Sequence, residues 1–300
     1  MYTNLCLFFT VTFCLFTNCE SSIRNITKQE IKQLKKNGYV LCKNLVSGED
    51  LKKLVQQGHK ISNKKNDDSE NDIYFKNSYR KIEFFSMREN YDLEQVATHI
   101  PAKQIIDSTS NFIQRAFNGK RVRVLKDAFL SYSPGKRGCG WHVDDKFFWP
   151  SPRYEMAHNG INVWIALSRY RKNRGGGIAV SHESHRSFQA TKAIDQLFHS
   201  GQTCFLDKLN PRLHSMLEKN KRTFDMNPGD ALIMDRWCFH RTDNFTKKGI
   251  TCYTNPLMRY SIRYMPENNK YLNPKMINGI KYVAKPLKLY GNRQFPIVYK

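Results

Sequence analysis

The sequence lacks an apolar run long enough to cross a membrane as a helix. Its longest such run, Leu5–Phe16, has about a dozen residues, whereas a spanning helix needs about 20. Small residues at the spacing of a cleavage site follow in Thr17–Glu20. We therefore predict a secretory signal peptide over residues 1–19. A short uncleaved anchor stays open as the alternative, because no Lys or Arg precedes the apolar run.

Acidic residues are scarce compared with basic ones. The chain has 26 Asp and Glu against 49 Lys and Arg, which gives a net charge of +23. The Lys residues are spread over the whole chain, and no nucleic-acid-binding module or basic cluster among aromatic residues is recognisable. Spread charge raises solubility and favours acidic partners in general. We expect no nucleic-acid partner and, after signal cleavage, no membrane contact; the sequence leaves the oligomeric state undetermined.

Cysteine is sparse once the signal peptide is set aside. Five cysteines remain in the mature chain, namely Cys42, Cys139, Cys204, Cys238 and Cys252. In an oxidising lumen these could form at most two disulfides, and their pairing cannot be read from the sequence.

Two glycosylation sequons bear on the predicted localisation, which is the secretory pathway, in the ER lumen or outside the cell. We predict a glycoprotein with its glycan at Asn25, since Asn25-Ile26-Thr27 lies near the mature N-terminus. We expect Asn244-Phe245-Thr246 to be unused, because it follows closely on a candidate metal ligand, His240.

No internal repeat is visible in the roughly 280 residues that follow the signal peptide. That length suits one domain, residues 20–300, with a core over 28–266. Short strand patterns separated by Gly and Pro turns predict a mainly β protein with flanking helices, a cupin-like jelly roll or double-stranded β-helix. The strands are expected at Val122–Leu125, Ala128–Tyr132, Ile161–Leu167, Ile178–Val180, Ala231–Met234 and Arg259–Tyr264.

Helical patterns flank these strands. The capping-box pattern Thr27-x-x-Glu30 predicts a helix that ends at Gly38, and a second helix opens after Ser47. Apolar residues at helical spacing predict one or two helices over 91–117. We also expect a mobile polar loop over 62–72 and a helical insertion over 186–222.

Two histidines and one aspartate form a candidate metal site. His142 and Asp144 are two residues apart, so on an extended strand both side chains point to the same side. His240 follows about a hundred residues later and can come alongside from a distant strand. Two His and one carboxylate leave three positions open on an octahedral ion, the arrangement of non-haem Fe(II) oxygenases.

A candidate carboxylate clamp lies downstream of His240. The alternating pattern from Leu257 to Tyr264 places Arg259, Ser261 and Arg263 on one face of a strand. An Arg binds a carboxylate bidentately and a nearby hydroxyl adds a donor. A dicarboxylate could therefore chelate the metal at one end and bind Arg259 and Ser261 at the other, as 2-oxoglutarate would. We favour Arg259 over Arg263 because a serine lies two residues after it.

Taken in order, these segments resemble the phytanoyl-CoA dioxygenase-like family of Fe(II)/2-oxoglutarate oxygenases. The likeness covers roughly residues 28 to 266 and depends on the order and spacing of several motifs. They are Lys36–Val40, Trp141–Asp144, Asn162–Leu167, Gly175–Val180 with Ser184-His185, Pro228–Leu232, His240 with Asn244, and Arg259-x-Ser261.

Two stretches depart from the family pattern. Family members often carry a Lys before the Pro-Gly that precedes His-x-Asp, whereas this chain reads Tyr132–Gly135 there. The gap from His240 to Arg259 is also longer than usual, with Thr251–Pro256 as the apparent insertion. The first departure removes or replaces a cosubstrate contact, and the second keeps Arg263 open as the cosubstrate anchor.

The resemblance implies an oxidoreductase that uses Fe(II), 2-oxoglutarate and O2, and it allows ascorbate as a further cofactor. It implies hydroxylation of a small molecule, because related halogenases have a small residue where this chain has Asp144. Aromatic residues near the site favour an apolar or ring-bearing substrate. The pocket candidates are Trp141, Trp164 and Asn162, and further aromatic residues lie at Phe147, Phe148 and Trp149.

Two other functions stay open at this point. One is a secreted binding protein on a degenerate oxygenase fold, against which the intact His142, Asp144 and His240 set speaks. The other is a cupin-type metal enzyme that does not use 2-oxoglutarate and would not need Arg259-x-Ser261. Conversion of 2-oxoglutarate to succinate with added Fe(II) would separate the oxygenase from the binding protein.

Overall fold

A computed structural model describes a large part of the chain. The described residues are 22–63, 84–88, 109–116, 119, 121–136, 138–143, 160–186, 206–266 and five short strands between 271 and 299. Several predictions lie outside them. These are the signal peptide over 1–19, the loop beyond residue 63, the helical pattern over 91–108 and the first part of the insertion over 186–222.

Helices and strands are numbered here in chain order. The helices are α1 (Lys28–Asn37), α2 (Gly48–Asn63), α3 (109–116), α4 (Leu206–Leu209), α5 (Pro211–Lys219) and α6 (Lys247–Cys252). The first nine strands are β1 (Tyr39–Cys42), β2 (Phe84–Arg88), β3 (Val122–Tyr132), β4 (Ile161–Ala166), β5 (Ile178–Ser181), β6 (Lys221–Thr223), β7 (Ala231–Asp235), β8 (His240–Thr242) and β9 (Leu257–Pro266). The last five are β10 (Tyr271–Leu272), β11 (Met276–Ile277), β12 (Lys281–Tyr282), β13 (Pro286–Leu287) and β14 (Ile297–Tyr299).

Two antiparallel sheets form the body of the fold. The larger has the order β1-β7-β4-β9-β3-β14, with β2 also paired to β3. The smaller has the order β6-β5-β8. β10 pairs with β13, and β11 pairs with β12. Two facing antiparallel sheets with helices on the outside are the jelly roll expected from the sequence.

Strand alternation divides the core into layers. On β4, Val163 and Ile165 join one cluster with Leu34 of α1 and Leu54 of α2. Their neighbour Trp164 joins another cluster, which includes Val180 of the smaller sheet. Successive side chains on a strand point to opposite faces. Helices α1 and α2 therefore pack against one face of the larger sheet, and the smaller sheet packs against its other face.

Helix α1 has the ends that the sequence predicts. Thr27 accepts a hydrogen bond from the Glu30 backbone N–H, and the Glu30 side chain accepts one from the Thr27 backbone N–H. The helix ends at Gly38, whose φ of 82° is left-handed and favours glycine. The capping box and the glycine stop are both confirmed.

Helices α4 and α5 cover the outer side of the smaller sheet. Leu206, Leu213 and Leu217 pack in one cluster with Ala179 of β5 and with Phe239. The described part of the predicted insertion is therefore helical, and it ends in strand β6. The two strands expected between Val122 and Tyr132 are one strand, with an irregular register between Val124 and Lys126.

The long segment after His240 contains helix α6. Thr246 caps the helix by accepting a hydrogen bond from the Gly249 backbone N–H. This short helix accounts for part of the unusual distance between His240 and Arg259. In the part of the chain that the structure describes, no helix is long and apolar enough to cross a membrane.

Candidate active site

His142 and His240 lie directly opposite each other on paired backbone segments. The His142 N–H donates to the His240 carbonyl at 3.0 Å, and the His240 N–H donates to the His142 carbonyl at 2.9 Å. The ring centroids are 4.3 Å apart. Two histidines that are 98 positions apart in the sequence are thus brought side by side, as two ligands of one ion require.

Backbone carbonyls orient both imidazole rings in the same way. Nδ1 of His142 lies 2.7 Å from the Gly140 carbonyl oxygen, and Nδ1 of His240 lies 3.0 Å from the Cys238 carbonyl oxygen. A carbonyl only accepts hydrogen bonds, so each Nδ1 carries the proton. Each Nε2 then presents its lone pair, the arrangement that supporting hydrogen bonds impose on metal-ligating histidines. The two rings therefore fit a metal ion.

The third predicted ligand, Asp144, lies outside the described residues, as do Phe147, Phe148 and Trp149. Within the described part of the chain, no group of three or more His, Cys, Asp or Glu side chains could hold a metal ion. The described ligand set consists of His142 and His240.

Strand β9 carries the candidate cosubstrate clamp. Arg259 pairs with Ala166, Ser261 with Trp164 and Arg263 with Asn162 across the β4–β9 ladder. Positions two apart on a strand share a face. Arg259, Ser261 and Arg263 therefore lie along the sheet face that includes Trp164, facing the smaller sheet.

Arg259 lies among aromatic side chains near the end of this face. Its guanidinium carbon is 5.7 Å from the centre of the Trp164 ring. Burial raises the pKa of the Tyr132 and Tyr170 hydroxyls, and the positive charge of Arg259 opposes both shifts. Arg259 is only half-buried, so its charge lies where a ligand can reach it.

Ser261 and Arg263 are more deeply buried. Ser261 is 1% exposed, and its hydroxyl donates a hydrogen bond to Oδ1 of Asn162 at 2.8 Å. Arg263 is 5% exposed. Of the three β9 residues, Arg259 is thus the most accessible.

The three candidates for the substrate pocket divide into two groups. Asn162 and Trp164 lie on the inner face of β4 beside Ser261 and Arg259. Trp141 is fully buried in a different cluster, which it shares with Leu213 and Leu217 of α5. The structure brings Asn162 and Trp164 together and separates Trp141 from them.

One residue that sequence reasoning missed connects the surroundings of both histidines. Glu218 of α5 accepts a hydrogen bond from the Trp141 indole N–H at 2.9 Å and one from Nε of Arg241 at 2.7 Å. Burial opposes the ionisation of Glu218, but Arg241 and the Trp141 N–H outweigh it and keep its pKa below the usual value. The sequence predicted only a helical insertion over 186–222, and no signal singled out Glu218.

The cysteines differ in their states. Cys139 is disulfide-bonded, and its sulfur lies 3.5 Å from Nδ1 of His142. Cys42, Cys238 and Cys252 are free. Cys238 is fully buried among apolar side chains of the inter-sheet cluster, and burial raises the pKa of its thiol to about 12. It is a core residue in the described structure.

A cavity of about 310 Å³ adjoins the His142 segment on the side of α5. Its lining includes Cys139, Glu218, Arg241 and Asn244. Asn244 is exposed, although we expected its sequon to be unused. The structure therefore gives no steric reason for that expectation.

The family comparison agrees with this geometry. The model of the phytanoyl-CoA dioxygenase family matches residues 34–249. The chain belongs to this family. Members are oxygenases that depend on Fe(II) and 2-oxoglutarate, so the chain is an enzyme of that class and uses both. No curated protein matches the sequence significantly.

Solved structures from the same class share the fold. SnoK, a non-haem α-ketoglutarate-dependent carbocyclase from nogalamycin biosynthesis, is 17% identical, with a TM-score of 0.56; the alignment covers 91% of this chain and 96% of SnoK. EctD from S. alaskensis is 14% identical, with a TM-score of 0.58; the alignment covers 87% of this chain and 84% of EctD. EvdO2 from Micromonospora carbonacea var. aurantiaca, complexed with 2-oxoglutarate, is 12% identical, with a TM-score of 0.53; the alignment covers 81% of this chain and 92% of EvdO2.

Proposed function

We propose that this protein hydroxylates a C–H group of a small molecule, with Fe(II) held by His142, Asp144 and His240. The observation that carries the proposal is the pairing of His142 with His240, in which both rings keep their proton on Nδ1. Two rings that were merely packed in a core would not need matching orientation. For the carboxylate we propose Asp144, because an extended segment would point its side chain to the same side as that of His142.

The same proposal assigns the distal carboxylate of 2-oxoglutarate to Arg259. A half-buried guanidinium beside Trp164 can bind a carboxylate in partly dry surroundings, where a charged hydrogen bond is strong. The two Tyr hydroxyls near Arg259 already donate to backbone carbonyls, Tyr132 to Lys136 and Tyr170 to Met258. We therefore assign the carboxylate to the guanidinium of Arg259, which carries the positive charge at this end of the site.

The protein's own contribution is to orient the reactants and exclude water. When bound, Fe(II) and 2-oxoglutarate supply the oxidising chemistry that activates dioxygen. The carbonyls of Gly140 and Cys238 fix both imidazoles, and the buried side chains of Trp164 and Tyr170 keep bulk water from the Arg259 end.

The substrate that we propose is apolar or ring-bearing, based on Trp164 beside Arg259 and on Phe147, Phe148 and Trp149, which follow His142 closely in the sequence. Other outcomes occur on this fold, since the similar proteins include a carbocyclase and an epimerase. Product analysis must therefore look for ring closure and inversion as well as for an added oxygen.

The decisive experiment measures succinate formed from 2-oxoglutarate by purified protein with Fe(II) and ascorbate. Candidate substrates are then ranked by how strongly they stimulate that turnover, and products are identified by mass. We expect slow uncoupled succinate formation that His240→Ala abolishes. Absence of succinate from wild-type protein that binds Fe(II) would overturn the proposal in favour of a binding protein.

We also propose that the protein enters the secretory pathway after removal of residues 1–19. A disulfide at Cys139 is expected in an oxidising compartment and is unusual in the cytosol. Asn25 is exposed, as a glycosylated asparagine must be. N-terminal sequencing of secreted protein should begin near Glu20, and an endoglycosidase should reduce its mass. Recovery of the intact chain from cytosol would refute the proposal.

A further inference from the structure

Glu218 bridges the two polypeptide segments that carry the paired histidines. Its carboxylate accepts from the indole N–H of Trp141, the residue before His142. It also accepts from Arg241, the residue after His240, through Nε at 2.7 Å and Nη2 at 3.3 Å. One side chain of α5 thus contacts the chain neighbours of both proposed ligands.

The partners of Glu218 are themselves held firmly. Trp141 is fully buried, and Arg241 is 7% exposed. The Arg241 guanidinium lies over the Trp141 ring at 5.2 Å and donates through Nη1 to the Thr242 carbonyl and to Asp243. The Glu218 side chain is 31% exposed, but both of its partners are buried. Charge-assisted hydrogen bonds have restricted geometry, so movement of Glu218 would be transmitted to both segments.

We propose that Glu218 is a positioning residue of the metal centre, which holds the His142 and His240 segments in register through Trp141 and Arg241. The inference rests on the proposed function, because it assumes that both histidines ligate the metal. Glu218 contacts Trp141 and Arg241, the chain neighbours of His142 and His240. Its effect reaches the two histidines through one backbone step on each side.

Cobalt(II) is a suitable probe, because it occupies similar N and O sites and its visible absorption reports the coordination geometry. The full mature chain is titrated with Co(II), and the Kd and the spectrum are compared for wild type, Glu218→Gln and Glu218→Ala. The melting temperature of each metal-free protein is recorded alongside. Glu49→Gln is the matched control, since Glu49 is an exposed helical carboxylate whose nearest cation, on Lys52, is 3.8 Å away.

We expect Glu218→Ala to weaken Co(II) binding about tenfold, near the low end of the range for residues that orient metal ligands. Trp141 and Nε of Arg241 both donate to Oε1 of Glu218, so Glu218→Gln can keep this acceptor while it loses the negative charge and the acceptor for Nη2 of Arg241. Its Kd should therefore fall between those of Glu218→Ala and wild type. Both variants should change the cobalt spectrum, and Glu49→Gln should change neither Kd nor spectrum. If Glu218→Ala does not fold, Glu218→Gln alone decides.

The proposal is overturned if Glu218→Gln lowers the melting temperature but leaves the cobalt Kd and spectrum unchanged, which is the pattern of a purely structural residue. His142→Ala separates this failure from failure of the proposed function. If wild type and His142→Ala bind Co(II) equally, the metal assignment is wrong. If only wild type binds well and Glu218 has no effect, the metal assignment stands and Glu218 has no positioning role.

Discussion

Ser261 donates its hydroxyl hydrogen to the side-chain oxygen of Asn162 at 2.8 Å, and both residues are nearly inaccessible to solvent. A hydroxyl has one hydrogen, so Ser261 uses its donor on the neighbouring strand β4. This differs from the sequence-based expectation that Ser261 would donate to the cosubstrate. The charge of Arg259 must then supply most of the free energy that binds the distal carboxylate of 2-oxoglutarate.

Replacing Arg259 should therefore weaken 2-oxoglutarate far more than replacing Ser261. We expect Arg259→Ala to raise the KM for 2-oxoglutarate about a hundredfold, as loss of a bidentate charged pair in a partly closed pocket does. Ser261→Ala should raise it less than tenfold. Steady-state succinate formation at varied 2-oxoglutarate measures both, and Co(II) affinity should be unchanged in both variants.

Arg263 provides the contrasting test on the same strand. It is 5% exposed and lies opposite Asn162, so Arg263→Ala should lower stability more than it changes the KM for 2-oxoglutarate. A steep rise in KM for Arg263→Ala, with little change for Arg259→Ala, would show that Arg263 anchors the cosubstrate.

Removing any proposed metal ligand should abolish Fe(II)-dependent turnover while the fold persists. His142→Ala, Asp144→Ala and His240→Ala each remove one of three protein ligands, whereas the core clusters on both faces of the larger sheet remain. Circular dichroism checks folding, and succinate formation checks activity. His182→Ala is the control, because its Nδ1 contacts the Tyr39 hydroxyl instead. Substantial activity in Asp144→Ala would count against the triad.

Local patterns predicted the parts of this fold that depend on neighbours in sequence. Thr27 and Glu30 form their capping box and Gly38 ends the helix, because these interactions span three or four residues. The sequence also predicted that His240 would come alongside His142 from a distant strand, because both are proposed ligands of one ion. Their shared Nδ1 orientation was not foreseen, because it depends on carbonyl directions that residue types do not specify.

Trp141 was wrongly assigned to the substrate pocket and Glu218 was missed, each for a physical reason. Trp141 was selected for the pocket because it adjoins His142, although adjacent residues on an extended segment face opposite sides. Applying that alternation would have placed Trp141 on the side opposite to His142, and in the structure Trp141 contacts Glu218 of α5. Glu218 itself could not be found in the same way, because it is 77 positions from Trp141 and only the packing of α5 on the smaller sheet joins them.

The disulfide at Cys139 should stabilise the segment that leads to His142. Cys42, Cys238 and Cys252 are free, so Cys204 is the one other cysteine of the predicted mature chain, and we expect it to be the partner. Peptide mapping without reduction should recover a Cys139–Cys204 linked pair. Cys139→Ser should lower the free energy of unfolding by about 2–4 kcal/mol, whereas Cys252→Ser, at an exposed free thiol, should not.

Asp235, at the end of β7, should make stability depend on pH. Burial raises its pKa from 3.8 to about 6, although the Trp237 backbone N–H and the charges of Arg236 and Arg186 oppose the shift. A carboxyl with a raised folded pKa holds its proton more tightly in the folded state than in the unfolded state. Its contribution to stability is therefore fully present below about pH 4 and is lost as pH rises through about 6.

Asp235→Asn tests this directly, because an amide oxygen can still accept the Trp237 N–H at 2.8 Å but cannot ionise. Urea unfolding of both proteins at about pH 4 and about pH 7 gives the difference in free energy of unfolding at each pH. Between the two pH values, the free energy of unfolding of Asp235→Asn should rise relative to that of wild type by up to about 3 kcal/mol, since one pKa unit corresponds to about 1.4 kcal/mol. Glu49→Gln, at an exposed carboxylate, should show no such gain. A difference that is the same at both pH values would mean that Asp235 ionises as readily in the folded protein as in the unfolded chain.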